Sequence, residues 1–195
     1  MTTVNHIKPL VIFDLNGTLL YRARARKDKY SIDVPATAKM TGRIRGRNVY
    51  LRPFVEEVLN SDKYDYAIWT SANPENANAM YDLLPNCQRA QFVWNRSFCT
   101  ANPNGEKSWS VFKDLDRIDK TKYPNFLLVD DTDEKLYRHH KMHHLQIPEY
   151  ICEENDDILK FLRIYLDNLS EDQDNYVQFM ENLSFDDFLK QQTHM

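Results

Sequence analysis

Acidic side chains follow apolar stretches at two places in this sequence. Asp14 follows the apolar residues 10–13, and the pair Asp130-Asp131 follows the apolar residues 126–129. A carboxylate can attack an electrophilic centre, and carboxylate oxygens are also the ligands that Mg²⁺ prefers. Taken singly, each acid is also compatible with an ordinary turn, where Asp is common. Together they indicate a site for nucleophilic, metal-assisted chemistry.

Both apolar stretches have the composition of buried strands. They are short and continuously apolar, which is typical of parallel strands that are covered on both faces. The first one ends in the turn sequence Asn16-Gly17-Thr18. Because ligands bind at the carboxyl ends of the strands in open α/β sheets, we expect Asp14 and Asp130 to complete one cation site there.

Hydroxyl groups follow a third predicted strand. Residues 65–69 form this strand, and Thr70 and Ser71 come directly after it. Thr70 can donate a hydrogen bond to a phosphoryl oxygen. The alternative is a capping role, since the Asn-Pro pair at 73–74 predicts the start of a helix that runs to about Leu84.

Other elements follow from the spacing of apolar residues. Proline in a first helical turn predicts a helix over residues 53–59, and helical spacing predicts another within residues 151–169. Residues 91–94 can form a further strand. The histidine-rich stretch 138–144 suggests either a metal site or a solvated helix end.

Length and composition favour one domain. With 195 residues, of which 42% are hydrophobic, we expect a single domain over residues 1–195, with the acidic segment 170–195 as a terminal helix or tail. No stretch is apolar enough to span a bilayer, and the first residues lack a secretory pattern. We therefore expect a soluble intracellular protein of the nucleus or cytoplasm, with reduced thiols at Cys87, Cys99 and Cys152.

Positive charge is concentrated early in the chain, although the net charge is −4. Residues 21–50 have no clean helical period and predict a flap with short strands. The flap can attract a polyanionic substrate, can be basic for solubility, or can serve as a nuclear-import signal; nucleic acid is the less favoured partner. The basic residues from the flap to the next helix are Arg22, Arg24, Arg26, Lys27, Lys29, Arg43, Arg45, Arg47 and Arg52.

The order of motifs resembles a known phosphatase family. From Leu10 to Leu169 the chain carries DLNGT, LRPFVEEVL, IWTSA, FKDL and LLVDD, which is similar to the FCP/SCP branch of the haloacid dehalogenase (HAD) superfamily, the NLI-interacting-factor-like or CTD-phosphatase-like proteins. The resemblance implies an α/β, HAD-type Rossmann-like domain with a central parallel sheet and helices on both faces. It also implies a small β flap after the first strand and no large cap.

The resemblance also implies roles for individual residues. Asp14 would be the nucleophile, Thr70 and Ser71 would contact the phosphoryl group, and Lys113 would neutralise negative charge, with Lys107 as its rival. The implied Mg²⁺ ligands are Asp14, Asp130 and the backbone carbonyl of Asn16. Asp131 would assist the metal, and Arg96 would contact substrate.

Asn16 departs from the family pattern, because relatives usually carry an Asp there as general acid and base. An amide cannot exchange protons in this way, and the loss of such a group typically lowers the rate by roughly 10²–10⁴-fold. Three explanations stay open: a change engineered to trap substrate, a natural phosphatase that uses another proton donor or a good leaving group, and an inactive relative.

The resulting hypothesis is a Mg²⁺-dependent phosphatase that acts through an aspartyl-phosphate. Its expected partner is a protein or peptide phosphorylated on serine or threonine. The alternatives are an inactive protein that binds phosphorylated ligands or acts as a scaffold, and a phosphatase of nucleic-acid ends.

Overall fold

A five-stranded parallel sheet forms the centre of the protein in a computed structural model, which describes residues 8–24, 34–102, 110–171 and 176–193. The strand order is β10-β9-β1-β5-β6, and each neighbouring pair is parallel. This confirms the predicted α/β fold with a central parallel sheet. The strands are β1 (Leu10–Phe13), β5 (Asp65–Trp69), β6 (Val93–Trp94), β9 (Phe126–Asp130) and β10 (His144–Gln146).

The register of the central strands aligns the acidic residues. Leu10 lies opposite Asp65 on one side and Phe126 on the other. Asp14 directly follows β1. In the same register it lies beside Asp130 on one side and beside Trp69, the residue before Thr70, on the other. The backbone N–H of Asp14 donates to the carbonyl of Val129 (3.0 Å), so the pairing continues to the end of the sheet.

The two faces of the sheet are covered differently. Val11 and Phe13 point to one face and pack with α-helices, whereas Leu10 and Ile12 pack on the other face with Leu115. Leu115 begins a 3-10 helix, Leu115–Arg117. The helices on the first face are α1 (Val55–Leu59), α2 (Pro74–Tyr81), α3 (Ile158–Glu171), α4 (Tyr176–Asn182) and α5 (Phe185–Thr193).

Two predicted helices are shorter than expected. The first begins at Val55 rather than Pro53, because Phe54 adopts a left-handed conformation (φ 63°) that a helix cannot include. The second ends at Tyr81 rather than Leu84. Its start was predicted correctly, since the Asn73 side chain accepts a hydrogen bond from the backbone N–H of Asn76 (2.9 Å).

The flap is a three-stranded antiparallel sheet that follows β1, with strand order β2-β4-β3. Arg45 and Gly46, both at positive φ (49° and 74°), form the two-residue turn between β3 and β4, as expected for a tight hairpin. The predicted flap is therefore confirmed where the structure describes it, and Arg26, Lys27 and Lys29 lie outside the described residues. The strands are β2 (Leu20–Arg22), β3 (Gly42–Ile44) and β4 (Arg47–Leu51).

Shorter elements complete the fold. A two-stranded antiparallel sheet is formed by β7 (Thr100–Ala101) and β8 (Val111–Phe112). Further 3-10 helices cover Cys87–Arg89, Arg96–Phe98 and Arg138–His143. The importance of β8 is that Lys113 follows it directly.

The C-terminal helices pack against α3. The ring of Tyr165 contacts the rings of Phe179, Phe185 and Phe188 at centroid distances of 5.4, 5.3 and 5.5 Å. Its hydroxyl donates to the carbonyl of Leu183 (2.7 Å). These contacts attach α4 and α5 to the domain. Among the described residues, no helix is both long and apolar enough to cross a membrane.

A buried ion pair joins the end of the flap to the start of α3. Arg52 donates from Nε and Nη2 to the carboxylate of Asp156 at 3.0 and 2.8 Å, and both side chains are almost fully buried. The Nη1 group of Arg52 also donates to the backbone carbonyl of Thr18 (3.2 Å), in the turn that follows Asp14. Arg52 therefore fixes the flap, α3 and the turn after β1 relative to one another.

Loss of this arginine should strongly destabilise the fold. We expect Arg52→Ala to lower the free energy of unfolding by about 3–5 kcal/mol, because Asp156 would remain buried without its partner. Urea denaturation followed by circular dichroism measures the change. Lys120→Ala, which removes an exposed partner of Asp116, should leave the curve nearly unchanged; equal curves for the two variants would contradict the structural role of Arg52.

Candidate active site

The floor of the site is a fully buried lysine between two carboxylates. Lys113 Nζ lies 2.7 Å from Asp14 Oδ1 and 2.5 Å from Asp130 Oδ2. Asp14 and Asp130 end neighbouring strands, and Lys113 reaches them from the segment after β8, where its backbone N–H donates to the carbonyl of Lys135 (2.8 Å). Lys107, the rival for this role, lies outside the described residues.

The charges of these groups depend on one another. Burial alone would lower the pKa of Lys113, but the carboxylates of Asp130 and Asp14 outweigh this effect and raise it. Burial raises the pKa of Asp14, while the ammonium group of Lys113 opposes the shift. The lysine therefore stays charged and favours the ionised form of the aspartate beside it.

A third carboxylate completes an oxygen-rich cluster. One oxygen from each of Asp14, Asp130 and Asp131 lies within 4.8 Å of the others. Burial and the negative charges of Asp14 and Asp130 raise the pKa of Asp131 to about 7. Lys113 contacts two of these carboxylates, and the charge of Lys135 acts on all three. A bound divalent cation would offset the negative charge that remains.

Gly17 allows the turn after β1 to approach this cluster. Its φ is +92°, and a Cβ built on it would lie 2.7 Å from Cγ of Asp131. Any side chain would be strained and would collide with that carboxylate. The glycine of the first motif is therefore required both by the backbone conformation and by the space.

Thr70 lies at the end of β5, beside the acidic groups in the register. Its hydroxyl oxygen accepts a hydrogen bond from the backbone N–H of Ala72 (3.2 Å), which leaves the hydroxyl proton available for another acceptor. Arg96 donates from Nε to the carbonyl of Ser71 (2.7 Å). This bond fixes the guanidinium group next to the loop after β5.

Asn16 contacts the flap. Its Oδ1 accepts a hydrogen bond from the backbone N–H of Arg22 (2.8 Å), and the residue is exposed. An aspartate in the same position could accept this bond as well. The contact therefore explains how the residue is held but does not require the amide.

A cavity of about 380 Å³ opens above these groups, between the flap and the start of α2. Asp14, Asn16, Thr70, Ser71 and Arg96 all line it. The structure thus brings the predicted nucleophile and phosphate contacts to one cavity, with Lys113 and Asp130 beneath Asp14. Their functional roles stay predictions. Four further basic side chains line the cavity: Arg22, Arg24, Arg47 and Lys135.

Comparison with known proteins identifies the family. The sequence profile of the NLI interacting factor-like phosphatases matches residues 9–177. The chain belongs to this family. The family that the resemblance implied is therefore confirmed.

A curated relative and two solved structures are also similar to the chain. An uncharacterized FCP1 homology domain-containing protein of Schizosaccharomyces pombe is 25% identical over 178 residues, which cover 80% of this chain and 67% of the relative. A structure of Fcp1, an essential RNA polymerase II CTD phosphatase, matches 97% of this chain with a TM-score of 0.51 and 16% identity. The fold is therefore similar, although this chain covers only 54% of that structure. A fission yeast Fcp1 bound to beryllium fluoride matches with 15% identity, a TM-score of 0.47 and coverage of 97% of this chain and 55% of that one.

Lys135 was not predicted from the sequence as a residue of the cavity, and neither was a partner for the histidine cluster. Lys135 follows β9 in a polar segment with no distinctive pattern.

His139 and His140 lie beside Asp116, and one ligand atom from each lies within 4.8 Å of the others. However, Nδ1 of His140 accepts from the backbone N–H of Leu115 (3.3 Å), so in the neutral ring Nε2 carries the proton. Nε2 lies 3.5 Å from Oδ2 of Asp116, and because it carries the proton in this tautomer it cannot bind a metal.

Replacement of Gly17 should cost more stability than replacement of the other positive-φ glycine. Gly46 also has positive φ, but no atom lies within 4 Å of a Cβ built there. We expect Gly17→Ala to be less stable than Gly46→Ala by about 1–3 kcal/mol, the usual cost of overpacking. Chemical denaturation of both variants measures the difference, and equal stabilities would show that the turn does not press against Asp131.

Proposed function

We propose that this member of the NLI interacting factor-like phosphatase family is a phosphomonoester hydrolase that uses Asp14 as its nucleophile. The observation that carries the proposal is the position of Asp14 in a cationic cavity, with one carboxylate oxygen held by the buried Lys113 at 2.7 Å. The ammonium group reduces the repulsion between a carboxylate and an approaching phosphate. Membership of the family supports the same chemistry.

The reaction proceeds in two displacements at phosphorus. Since Lys113 holds Oδ1 of Asp14, Oδ2 is the oxygen left to attack; a bond forms from it to phosphorus, and the bond from phosphorus to the ester oxygen breaks. The alcohol leaves with a proton from water, because the amide of Asn16 has no acidic proton, and the hydroxide that remains takes up the proton released in the second displacement. A water molecule then attacks the phosphorus of the aspartyl-phosphate, which releases inorganic phosphate and restores the carboxylate.

Other side chains hold the phosphoryl group. The free hydroxyl proton of Thr70 can be donated to a phosphoryl oxygen, with Ser71 beside it. Arg96 is fixed through its Nε at the carbonyl of Ser71 and can use its terminal nitrogens for a second oxygen. These donors are in position before substrate arrives, so little reorganisation is needed.

The cluster of carboxylates fits Mg²⁺. Asp14 and Asp130, together with the backbone carbonyl of Asn16, would hold the ion, with Asp131 assisting. When bound, the ion would withdraw negative charge from the phosphoryl group and help to orient it. The charges of Lys113 and Lys135 act on this cluster, and two ammonium groups still leave one negative charge for a cation to offset when all three acids are ionised, which supports the assignment.

The proposed substrate is a phosphoserine or phosphothreonine side chain of a protein. Within the described ranges, the insertion after β1 is a small three-stranded flap, and the cavity is open rather than covered by a lid domain. Such a cleft admits a polypeptide. The matching Fcp1 structure is that of an RNA polymerase II CTD phosphatase, which supports a protein substrate for this chain as well.

Asp14 and Asn16 provide the first test of this mechanism. Hydrolysis of an aryl phosphate should require Mg²⁺ and should be lost in Asp14→Ala. Asn16→Asp should gain roughly 10²–10⁴-fold in kcat, because it restores a group that can exchange protons. Steady-state kinetics with and without Mg²⁺ measures both effects.

Asn95→Asp is the matched control for this test. Like Asn16, Asn95 uses Oδ1 to accept a backbone N–H bond, here from Ser97 (2.9 Å), but it does not line the cavity. It should therefore leave the rate unchanged. Activity that survives in Asp14→Ala would refute the proposed nucleophile, and a gain in Asn95→Asp equal to that of Asn16→Asp would refute the acid/base explanation.

Binding of phosphorylated ligands without turnover is the second candidate function. It is favoured by Asn16, since no titratable side chain occupies the acid/base position. In that case phosphopeptides would bind, while neither the original chain nor Asn16→Asp would release phosphate. A nucleic-acid-end phosphatase would instead show affinity for DNA or RNA that falls steeply as salt rises.

A further inference from the structure

The wall of the cavity that the flap provides carries more positive charge than one phosphate requires. We propose that Arg22 and Arg47 bind a second anionic side chain of the same phosphopeptide, a phosphorylated or acidic residue near the one that is hydrolysed. The proposal rests on the phosphatase function above and deepens it by defining the class of substrate.

The described lining of the cavity has an excess of positive charge. Among these described side chains five are cationic, and Asp14 is the one carboxylate. That carboxylate is already paired with Lys113 from below. The charge of Lys135 acts on the acidic cluster, and Arg96 lies beside Thr70 and can serve the reacting phosphoryl group. The arginines of the flap are left without a function in the reaction.

Neither Arg22 nor Arg47 forms an ion pair with another residue that the structure describes. On the same hairpin, Arg45 forms an ion pair with Glu75. Within the described parts of the chain, no such pair is formed by Arg22, whose Nη2 donates to the carbonyl of Ile44 (3.3 Å) and whose buried Nε has no hydrogen-bond partner. Burial and the charges of Arg47 and Arg45 lower the pKa of Arg22. An anion between Arg22 and Arg47 would relieve this repulsion.

Arg22 and Arg47 also lie close to the reacting group. The backbone N–H of Arg22 binds Oδ1 of Asn16, only two residues from Asp14, so the arginine begins next to the reacting group. Arg47 lies on β4, and β4 pairs directly with β2. A substrate chain that places one phosphate at Asp14 therefore passes the flap within a few residues.

A peptide fits the cavity better than a nucleic acid. Oδ1 of Asn76, on the opposite helix α2, is buried and lacks a hydrogen-bond donor among the described residues. The amide N–H groups along a peptide can supply that donor, whereas the phosphodiester backbone of DNA has only acceptors and its N–H donors are confined to the bases. The cavity thus combines groups for an anion with an acceptor for a backbone amide.

Binding of matched peptides tests the proposal without turnover. Three fluorescent peptides of one sequence would carry a single phosphoserine, a phosphoserine with a glutamate, or two phosphoserines, with spacings of two to four residues, about 7–13 Å in an extended chain. Fluorescence anisotropy in EDTA would give their affinities for the unaltered chain, for Arg47→Gln and for Arg43→Gln. Arg43 is the control, since it is an exposed arginine of β3 that does not line the cavity.

We expect the second anion to tighten binding by roughly tenfold or more at the preferred spacing, as expected for one added charge-assisted contact. Arg47→Gln should lose most of this gain, and Arg43→Gln should keep it. The peptide that gains more identifies the second group as phosphate or carboxylate. A gain in either peptide that depends on Arg47 supports the subsite.

Three results would overturn the proposal: equal affinities for all three peptides, an equal loss in Arg43→Gln, or an equal dependence on Arg47 for a 5′-phosphorylated oligonucleotide. The first two would mean that no specific subsite exists, and the third that the site recognises nucleic acid. Since binding needs no turnover, preference for two anions in a chain that fails to hydrolyse phosphate would refute only the proposed reaction.

Discussion

The contact on which the site depends is that of one buried ammonium group with two buried carboxylates. Lys113 is fully buried between Asp14 and Asp130, at the ends of adjacent parallel strands. Without the lysine, two acids brought together by the strand register would repel each other in a region of low dielectric constant. Lys113 follows the short strand β8, and its backbone N–H donates to the carbonyl of Lys135. By holding Lys113 in place, these contacts stabilise this edge of the sheet.

The flap and α3 are held to this edge by a second buried charge pair. Arg52 contacts Asp156 at the start of α3 and the carbonyl of Thr18 in the turn after β1. Because the turn also carries Asn16 and Gly17, the same network positions both the acidic cluster and the arginines of the flap. The cavity between the flap and α2 follows from this arrangement.

Asn16 is where the family pattern and this chain differ. The structure holds its side chain against the backbone N–H of Arg22, so the residue connects the turn after β1 to the flap. The rest of the proposed phosphatase machinery is present around it: a lysine between two acids, a hydroxyl with a free proton and a positioned arginine. Because these groups are present, we favour a slow hydrolase over a protein that has lost catalytic activity.

Elements with local signals could be predicted from the sequence alone. Continuous apolar runs predicted β1 and most of β5 and β9, because a strand buried on both faces needs no polar residue. The acids at the ends of β1 and β9 predicted the edge at which the cavity lies. Helix ends were less accurate: the conformation of Phe54 delays α1, and α2 stops before Leu84. Contacts between distant residues, such as that of Arg52 with Asp156, and the place of Arg22 in the cavity became known from the tertiary structure alone. No local pattern encodes these pairs, since each depends on how separate segments pack; the same is true of Lys135 and of Asp116 beside the histidines.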